Sequence, residues 1–176
     1  MGNAGSGCCS GDGGLLAPQG SLLLGAAEPL AVPPAAPDFA MVSVEDGQTI
    51  TLHDLLLQHG GRPTVLQFYA SWCGGSHKAA DSLEQLSAEH GRHINFVHIN
   101  VESDGRSASN AEEFHRDHDI GQHGSFHFRL DRANDRLSAQ LYSISYLPHR
   151  VILGQDGGVA VDDCREEWPD LAPFCS

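Results

Sequence analysis

Lysine is nearly absent from this chain: Lys78 is the only one in 176 residues, and no Lys or Arg precedes Arg62. With 10 Lys and Arg against 23 Asp and Glu, the formal net charge is −13. Nucleic acid and anionic lipid surfaces are polyanions, so the charge excludes both as electrostatic partners and leaves small molecules and protein thiols. The missing early positive charge also removes the n-region of a secretory signal and the Arg-rich character of a transit peptide. Long apolar runs are missing too, and Leu22-Leu23-Leu24 is far too short to span a bilayer. No Asn-x-Ser/Thr acceptor occurs, and the five cysteines at 8, 9, 73, 164 and 175 form no even disulfide framework. Both absences favour a reducing, cytosolic setting. Zinc spacing is absent as well, since Cys8 and Cys9 are adjacent and the other three stand alone.

What is present suits one folded unit with extensions, because 40% hydrophobic content supplies a core. Residues 1–37 are rich in Gly, Ala, Pro, Ser and Leu and read as a flexible tether; a domain over 38–164 and a tail over 165–176 follow. Met41–Val44 and Thr49–Thr51 alternate around Asp46-Gly47, the pattern of a hairpin. Thr51 is placed to cap a short helix, Leu52 to His59, which Gly60-Gly61 ends. Val65–Tyr69 reads as a buried strand, and Ala79, Ala80, Leu83, Leu86 and Ala88 recur at helical spacing up to Gly91. Then come a strand over Ile94–Val101, a polar helix over Ser109–His118, a short strand at Phe126–Leu130, a helical stretch near Arg136–Tyr142, and a hairpin joining Arg150–Leu153 to Val159–Val161. Strands alternating with helices and closed by a hairpin predict an α/β sandwich with a mixed sheet.

Within this pattern Trp72-Cys73-Gly74-Gly75-Ser76 joins a strand to a helix. That places Cys73 at the first helical turn, where unpaired N–H groups and the helix dipole favour a thiolate. The position three residues on, where a Cys-x-x-Cys motif carries its second thiol, is Ser76. A disulfide within the motif is therefore excluded, and Ser76 is expected to be an oxygen donor that stabilises the thiolate or simply a polar residue of the first turn. His77 is four residues after Cys73, on roughly the same helical face, where an imidazolium would favour the thiolate; the alternative is a solvated histidine.

The chain resembles the thioredoxin superfamily, in particular its TlpA-like and AhpC/TSA-related redoxin branch. The resemblance rests on Ala36-Pro37-Asp38-Phe39, the hairpin through Asp46-Gly47-Gln48, the run Leu66 to Ser76, and Tyr146-Leu147-Pro148 ahead of Arg150 to Gly157. It implies a three-layer sandwich whose central mixed sheet is flanked by helices, with Cys73 at a helix start. It also implies a cis bond before Pro148, whose extended edge docks the substrate's strand. Cys73, Ser76 and Pro148 are the residues implied for catalysis, with Trp72, Gly74, Gly75 and His77 flanking the site and Lys78 as the basic residue that follows the motif. Three features depart from the pattern: Ser76 replaces the resolving cysteine, Gln67 stands where relatives keep a buried acid, and Ala70 replaces the threonine of peroxidatic sites. The last argues against peroxidase activity.

Two further motifs carry expectations. His115, His118, His123 and His127 cluster in sequence, with His115 and His118 spaced to share a helix face, but no carboxylate or cysteine spacing completes a metal site, and none is expected. Met1-Gly2-Asn3-Ala4-Gly5-Ser6 fits N-myristoylation at Gly2, with Cys8 and Cys9 as neighbouring palmitoylation candidates. One myristoyl chain binds membranes only marginally, and with no basic patch nearby the second signal falls to Cys8 or Cys9. The expected function is monothiol disulfide exchange at the cytosolic face of a membrane. Cys73 forms mixed disulfides with protein or small-molecule disulfides, and glutathione or another thiol resolves them as co-substrate, with no bound cofactor. Cys164 and Cys175 are candidate internal resolvers. The rival expectation is a redox-inactive thioredoxin-like module that binds or scaffolds proteins through the Cys73 and Pro148 surface.

Overall fold

A computed structural model of the chain describes residues 36–130, 140–162, 168 and 170–175. The tether up to residue 35, with Gly2, Cys8 and Cys9, lies outside the described residues, as do Cys164 and most of the expected 136–142 helix. Strands β1 (Ala40–Ser43) and β2 (Thr49–Thr51) form the first hairpin, followed by α1 (Leu52–Gln58), β3 (Thr64–Tyr69) and α2 (Gly74–His90). Next come β4 (Asn95–Asn100), α3 (Ser107–Asp117), β5 (Ser125–Leu130) and the closing hairpin β6 (His149–Leu153) and β7 (Val159–Asp162). The seven strands make one sheet in the order β2-β1-β5-β4-β3-β6-β7. The β3–β4 and β4–β5 pairs are parallel, while β1–β2, β1–β5, β3–β6 and β6–β7 are antiparallel, as the expected mixed sheet requires.

Local chemistry sets the helix bounds. The Thr51 hydroxyl accepts the Asp54 N–H at 3.1 Å and starts α1. Gly60 and Gly61, with φ of 67° and 68°, turn the chain away from it in a region that side chains with a Cβ disfavour. α2 stops at Gly91, a position only glycine fits, since a Cβ there would lie 2.5 Å from the Ser87 carbonyl oxygen and 2.8 Å from that of His123. Its buried face differs from expectation at one position: Ser87 is buried and Ala88 is exposed, since the Ser87 hydroxyl donates to the His123 carbonyl. α3 begins two residues earlier than expected because Asp104 receives the Arg106 N–H on its carboxylate and the Ser107 N–H on its carbonyl.

The central strands β3 and β4 are buried along their whole length, so their two faces belong to two cores. Leu66, Phe68, Val97, Ile99, Val151 and Leu153 turn to one face, where Leu52, Leu55 and Leu56 of α1 cover them. Val65, Phe96 and Ile152 turn to the other, under Leu83 of α2, while Tyr69 packs with Ala80 and Phe114 of α2 and α3. This is the three-layer arrangement expected. The segment read as a C-terminal tail is part of that second core: Leu171 is buried there beside Trp168 and Phe174, and the Arg150 guanidinium lies 4.3 Å from the Trp168 ring centre. The expected tether likewise ends inside the fold, because Ala36 is buried and the Pro37 carbonyl accepts the Tyr142 hydroxyl at 2.8 Å.

Candidate active site

Strand β3 ends at Tyr69, and the chain turns through Ala70-Ser71-Trp72 into α2 with Cys73 as its N-cap residue. The turn is closed on both sides, by the Cys73 N–H on the Ala70 carbonyl at 3.1 Å and the Ser76 N–H on the Cys73 carbonyl at 2.9 Å. Across from it the Leu147–Pro148 bond is cis, and the Leu147 carbonyl accepts the Cys73 thiol at 3.5 Å. Gly75 makes this approach fit, since a Cβ on it would lie 3.3 Å from Pro148 Cδ and 3.8 Å from Cys73 Sγ. Gly74 faces open space. Trp72 is 75% exposed beside the partly exposed sulfur and walls a cleft of about 300 Å³ with Ala70, Val101, Glu102, Ser103 and Asp104.

Burial on its own would push the Cys73 thiol up, but the Ser76 hydroxyl and the Ser76 and Gly75 N–H groups outweigh it and hold the thiol below its ordinary value. The Ser76 hydroxyl is fully buried and has no partner of good hydrogen-bond geometry. A buried hydroxyl left unpaired costs about 1–3 kcal/mol, and a charged Cys73 sulfur supplies the acceptor it lacks. Sulfur and hydroxyl therefore favour the thiolate together.

The turn is also held from the side. The Ser71 hydroxyl donates to Glu102 Oε1 at 3.0 Å, and Glu102 is itself fixed by Asn100 at 2.8 Å. His77 spends both ring nitrogens away from the sulfur: Nε2 meets the Ser71 carbonyl at 2.8 Å and Nδ1 meets His118 Nε2 at 2.8 Å. It is neither the solvated side chain nor the direct thiolate partner that its spacing suggested. Lys78 is exposed.

Beneath α2 the sheet carries a polar row that periodicity alone did not reveal. Gln67, His98 and His127 are register partners on β3, β4 and β5, all on the face toward α2 and α3. Gln67 Nε2 lies 3.4 Å from His98 Nδ1, His98 Nε2 meets Glu84 at 2.8 Å, and the Tyr69 hydroxyl meets His127 Nε2 at 2.7 Å. Burial pushes the His98 imidazolium down despite Glu84, and pushes His127 well down, so both rings are neutral. Burial also raises the Tyr69 phenol. The place expected to lack an acid is therefore occupied by an amide leaning on a neutral histidine. A register-aware look at which strands carry histidine at their centre would have found it.

The sequence-clustered histidines separate. His115 stacks on His127 with Nδ1 atoms 3.1 Å apart, His118 turns to His77 and to Asp81 at 2.7 Å, and His123 is exposed. Among the described residues no group of three or more His, Cys, Asp or Glu is arranged to hold a metal. Cys175 does not join Cys73: its sulfur lies against His90 at 3.7 Å, at the opposite end of the 17-residue α2, about 25 Å away at the helical rise. That placement removes Cys175 as an internal resolver.

A family profile described as thioredoxin-like matches residues 60–159, more than half of the chain. Among curated proteins, the chain is 40% identical over 43 residues to a "Thiol:disulfide interchange protein TxlA homolog" of Synechocystis, a stretch covering 24% of each protein. It is 33% identical over 67 residues to the "Thioredoxin-like protein HCF164, chloroplastic" of Oryza sativa subsp. japonica, covering 38% of this chain and 25% of that one. The matches thus span about a quarter of those relatives' length. Among solved structures, the thioredoxin domain of a thiol-disulfide oxidoreductase from Bacteroides vulgatus superposes with a TM-score of 0.62 at 14% identity, over 78% of this chain and 91% of that one. No helix among the described residues is long and apolar enough to cross a membrane. The fold, the Cys73 turn and the family profile agree: the chain belongs to the thioredoxin-like family.

Proposed function

We propose that the protein is a thiol-disulfide oxidoreductase that works through Cys73 alone. The observation that carries this reading is the setting of the Cys73 sulfur: partly exposed, held below its ordinary thiol value, and faced by a buried Ser76 hydroxyl where a second thiol would stand. The Cys73 thiolate attacks a substrate disulfide, forming one S–S bond to the nearer sulfur and expelling the other as a thiolate. An external thiolate such as glutathione then attacks the substrate sulfur of the mixed disulfide. Cys73 leaves with the electron pair, its low thiol pKa making it a good leaving group. A second glutathione thiolate attacks the glutathione sulfur of the resulting substrate–glutathione disulfide, giving oxidised glutathione and the reduced substrate thiolate. The exposed Trp72 and the Pro148 segment flank the substrate's chain. Alkylation of native protein across a pH series, read peptide by peptide, tests the reading. Cys73 should react fastest near neutrality, ahead of Cys164 and Cys175; a Cys73 that titrates like a free thiol, near about 8.5, favours a binding module without redox chemistry.

The N-terminal pattern supports a second part of the proposal, in which myristoyl at Gly2 and palmitoyl at Cys8 or Cys9 hold the domain at the cytosolic face of a membrane. Fractionation of cells expressing the wild type and Gly2→Ala tests it. The wild type should sediment with membranes even in high salt, whereas the variant should be soluble; a soluble, unacylated wild type removes the anchor.

A further inference from the structure

The hydrogen bonds around His77 and His118 set the number of protons the two rings hold. At one end His77 Nε2 meets the Ser71 carbonyl at 2.8 Å, and a carbonyl oxygen only accepts. At the other, His118 Nδ1 meets the Asp81 carboxylate at 2.7 Å, again an acceptor. Both outer nitrogens therefore carry hydrogen. Between them His77 Nδ1 and His118 Nε2 stand 2.8 Å apart, and two lone pairs do not approach that closely without a proton. Three N–H groups on two imidazoles make one positive charge, set against Asp81.

We propose that His77 and His118 share a single proton and that the protonated pair is the strut that positions the Ser71–Cys73 turn, so that the reactivity of Cys73 follows the protonation of the pair. This rests on the reading of Cys73 as the nucleophile. Nothing in the pair touches the sulfur in the structure; the link runs through the Ser71 carbonyl, two residues before Cys73, in a turn whose other side is held by Glu102. Both histidines are positioning residues.

The surroundings favour one proton rather than two or none. Asp81 on α2 is the carboxylate bonded to the pair, while Asp119 and His123, with Glu84 and Asp81, share the open cleft that His118 lines. Glu84 is committed to His98 and Ser125. From α3, Phe114 packs on both rings, with centres 4.9 Å and 4.4 Å away, and His115 turns aside to His127. From the sheet, His98 and His127 are the titratable groups that feel His118, and burial keeps both uncharged. Lys78, the next residue on α2, is exposed.

The test uses full-length protein labelled with 15N-histidine, the two rings being assigned with His77→Gln and His118→Gln. At neutral pH the four ring nitrogens should show three protonated positions. Two or four protonated positions would overturn the shared proton. In parallel, the alkylation rate of Cys73 per thiolate should drop roughly fivefold or more in His118→Ala, because a loosened turn misplaces the nucleophile. His118→Gln, whose amide still donates to His77, should recover most of that loss. In the wild type the rate should fall together with the nitrogen count when that count goes from three to two, and His118→Gln should lose that step. Equal rates in wild type and His118→Ala, with the variant shown to be folded by its amide spectrum, would overturn the coupling to Cys73. A wild-type Cys73 no more reactive than a free thiol would instead sink the nucleophile reading, and the nitrogen count would still decide on the shared proton.

Discussion

Acid should destabilise this protein earlier than carboxylate protonation would, because His98 and His127 are buried as neutral rings. Their imidazolium forms are disfavoured in the fold, whereas in the unfolded chain both titrate near the ordinary 6.5. A group whose native pKa is depressed leaves stability intact above the unfolded pKa. As pH falls below that value the unfolded chain takes up protons that the native protein refuses, and the loss continues down to the native pKa. Each such histidine contributes at most about 1.4 kcal/mol per pH unit once well below 6.5, and integrating from pH 6.5 to 5.5 gives about 1 kcal/mol each. Two rings that both stay neutral at pH 5.5 make about 2 kcal/mol, a sizeable part of the roughly 5–15 kcal/mol that holds a typical domain together. Urea unfolding at pH 7.5, 6.5 and 5.5 measures it. The free energy should fall by about 0.7 kcal/mol from 7.5 to 6.5 and by about 2 kcal/mol more from 6.5 to 5.5. His127→Phe should halve that fall, although it lowers stability at every pH by stranding the Tyr69 hydroxyl. A level profile down to pH 5.5 would show that both rings take up protons in place, and would refute their burial as neutral groups.

Three other outcomes are expected. Ser76→Ala removes the hydroxyl that faces the sulfur and should slow alkylation of Cys73 at pH 7 by roughly three- to tenfold, a charged hydrogen bond of about 1.5–3 kcal/mol discounted for the exposure of the thiol; an unchanged rate would leave the helix N–H groups as the only thiolate donors. Gly91→Ala brings a Cβ against two carbonyl oxygens and should cost about 1–3 kcal/mol, read as a Tm lower by several degrees in calorimetry. Gly75→Ala should cost less stability, since its new Cβ meets the Pro148 ring at 3.3 Å, but should slow mixed-disulfide formation, measured by quenched mass spectrometry, by pushing that segment off the sulfur.

Most of the scaffold was legible in the sequence because its signals are local. Asp46-Gly47 marks a turn, Thr51 a cap and Gly91 a stop, and each sits where the structure uses it. The same holds for the Cys73 turn, since a strand feeding a helix fixes the first helical turn without help from afar. What was not legible depends on register and on contacts distant in sequence. His98 reads as one polar residue in an apolar strand until β3, β4 and β5 are aligned and it meets Gln67 and His127. His77 reads as a neighbour of Cys73 until α3 brings His118 to it across 41 positions. Trp168 and Leu171 sit in a polar stretch that resembles a tail, and only the uncovered sheet face beside α2 explains why they pack.

The most direct test of single-thiol chemistry is turnover by a protein in which Cys8, Cys9, Cys164 and Cys175 are all serine and only Cys73 remains. With a disulfide substrate and glutathione, that protein should reduce substrate at close to the wild-type rate, and a mixed disulfide on Cys73 should be trapped by acid quenching before glutathione is added. Loss of turnover while the fold is intact, or trapping on any other cysteine of the wild type, would contradict catalysis by Cys73 alone.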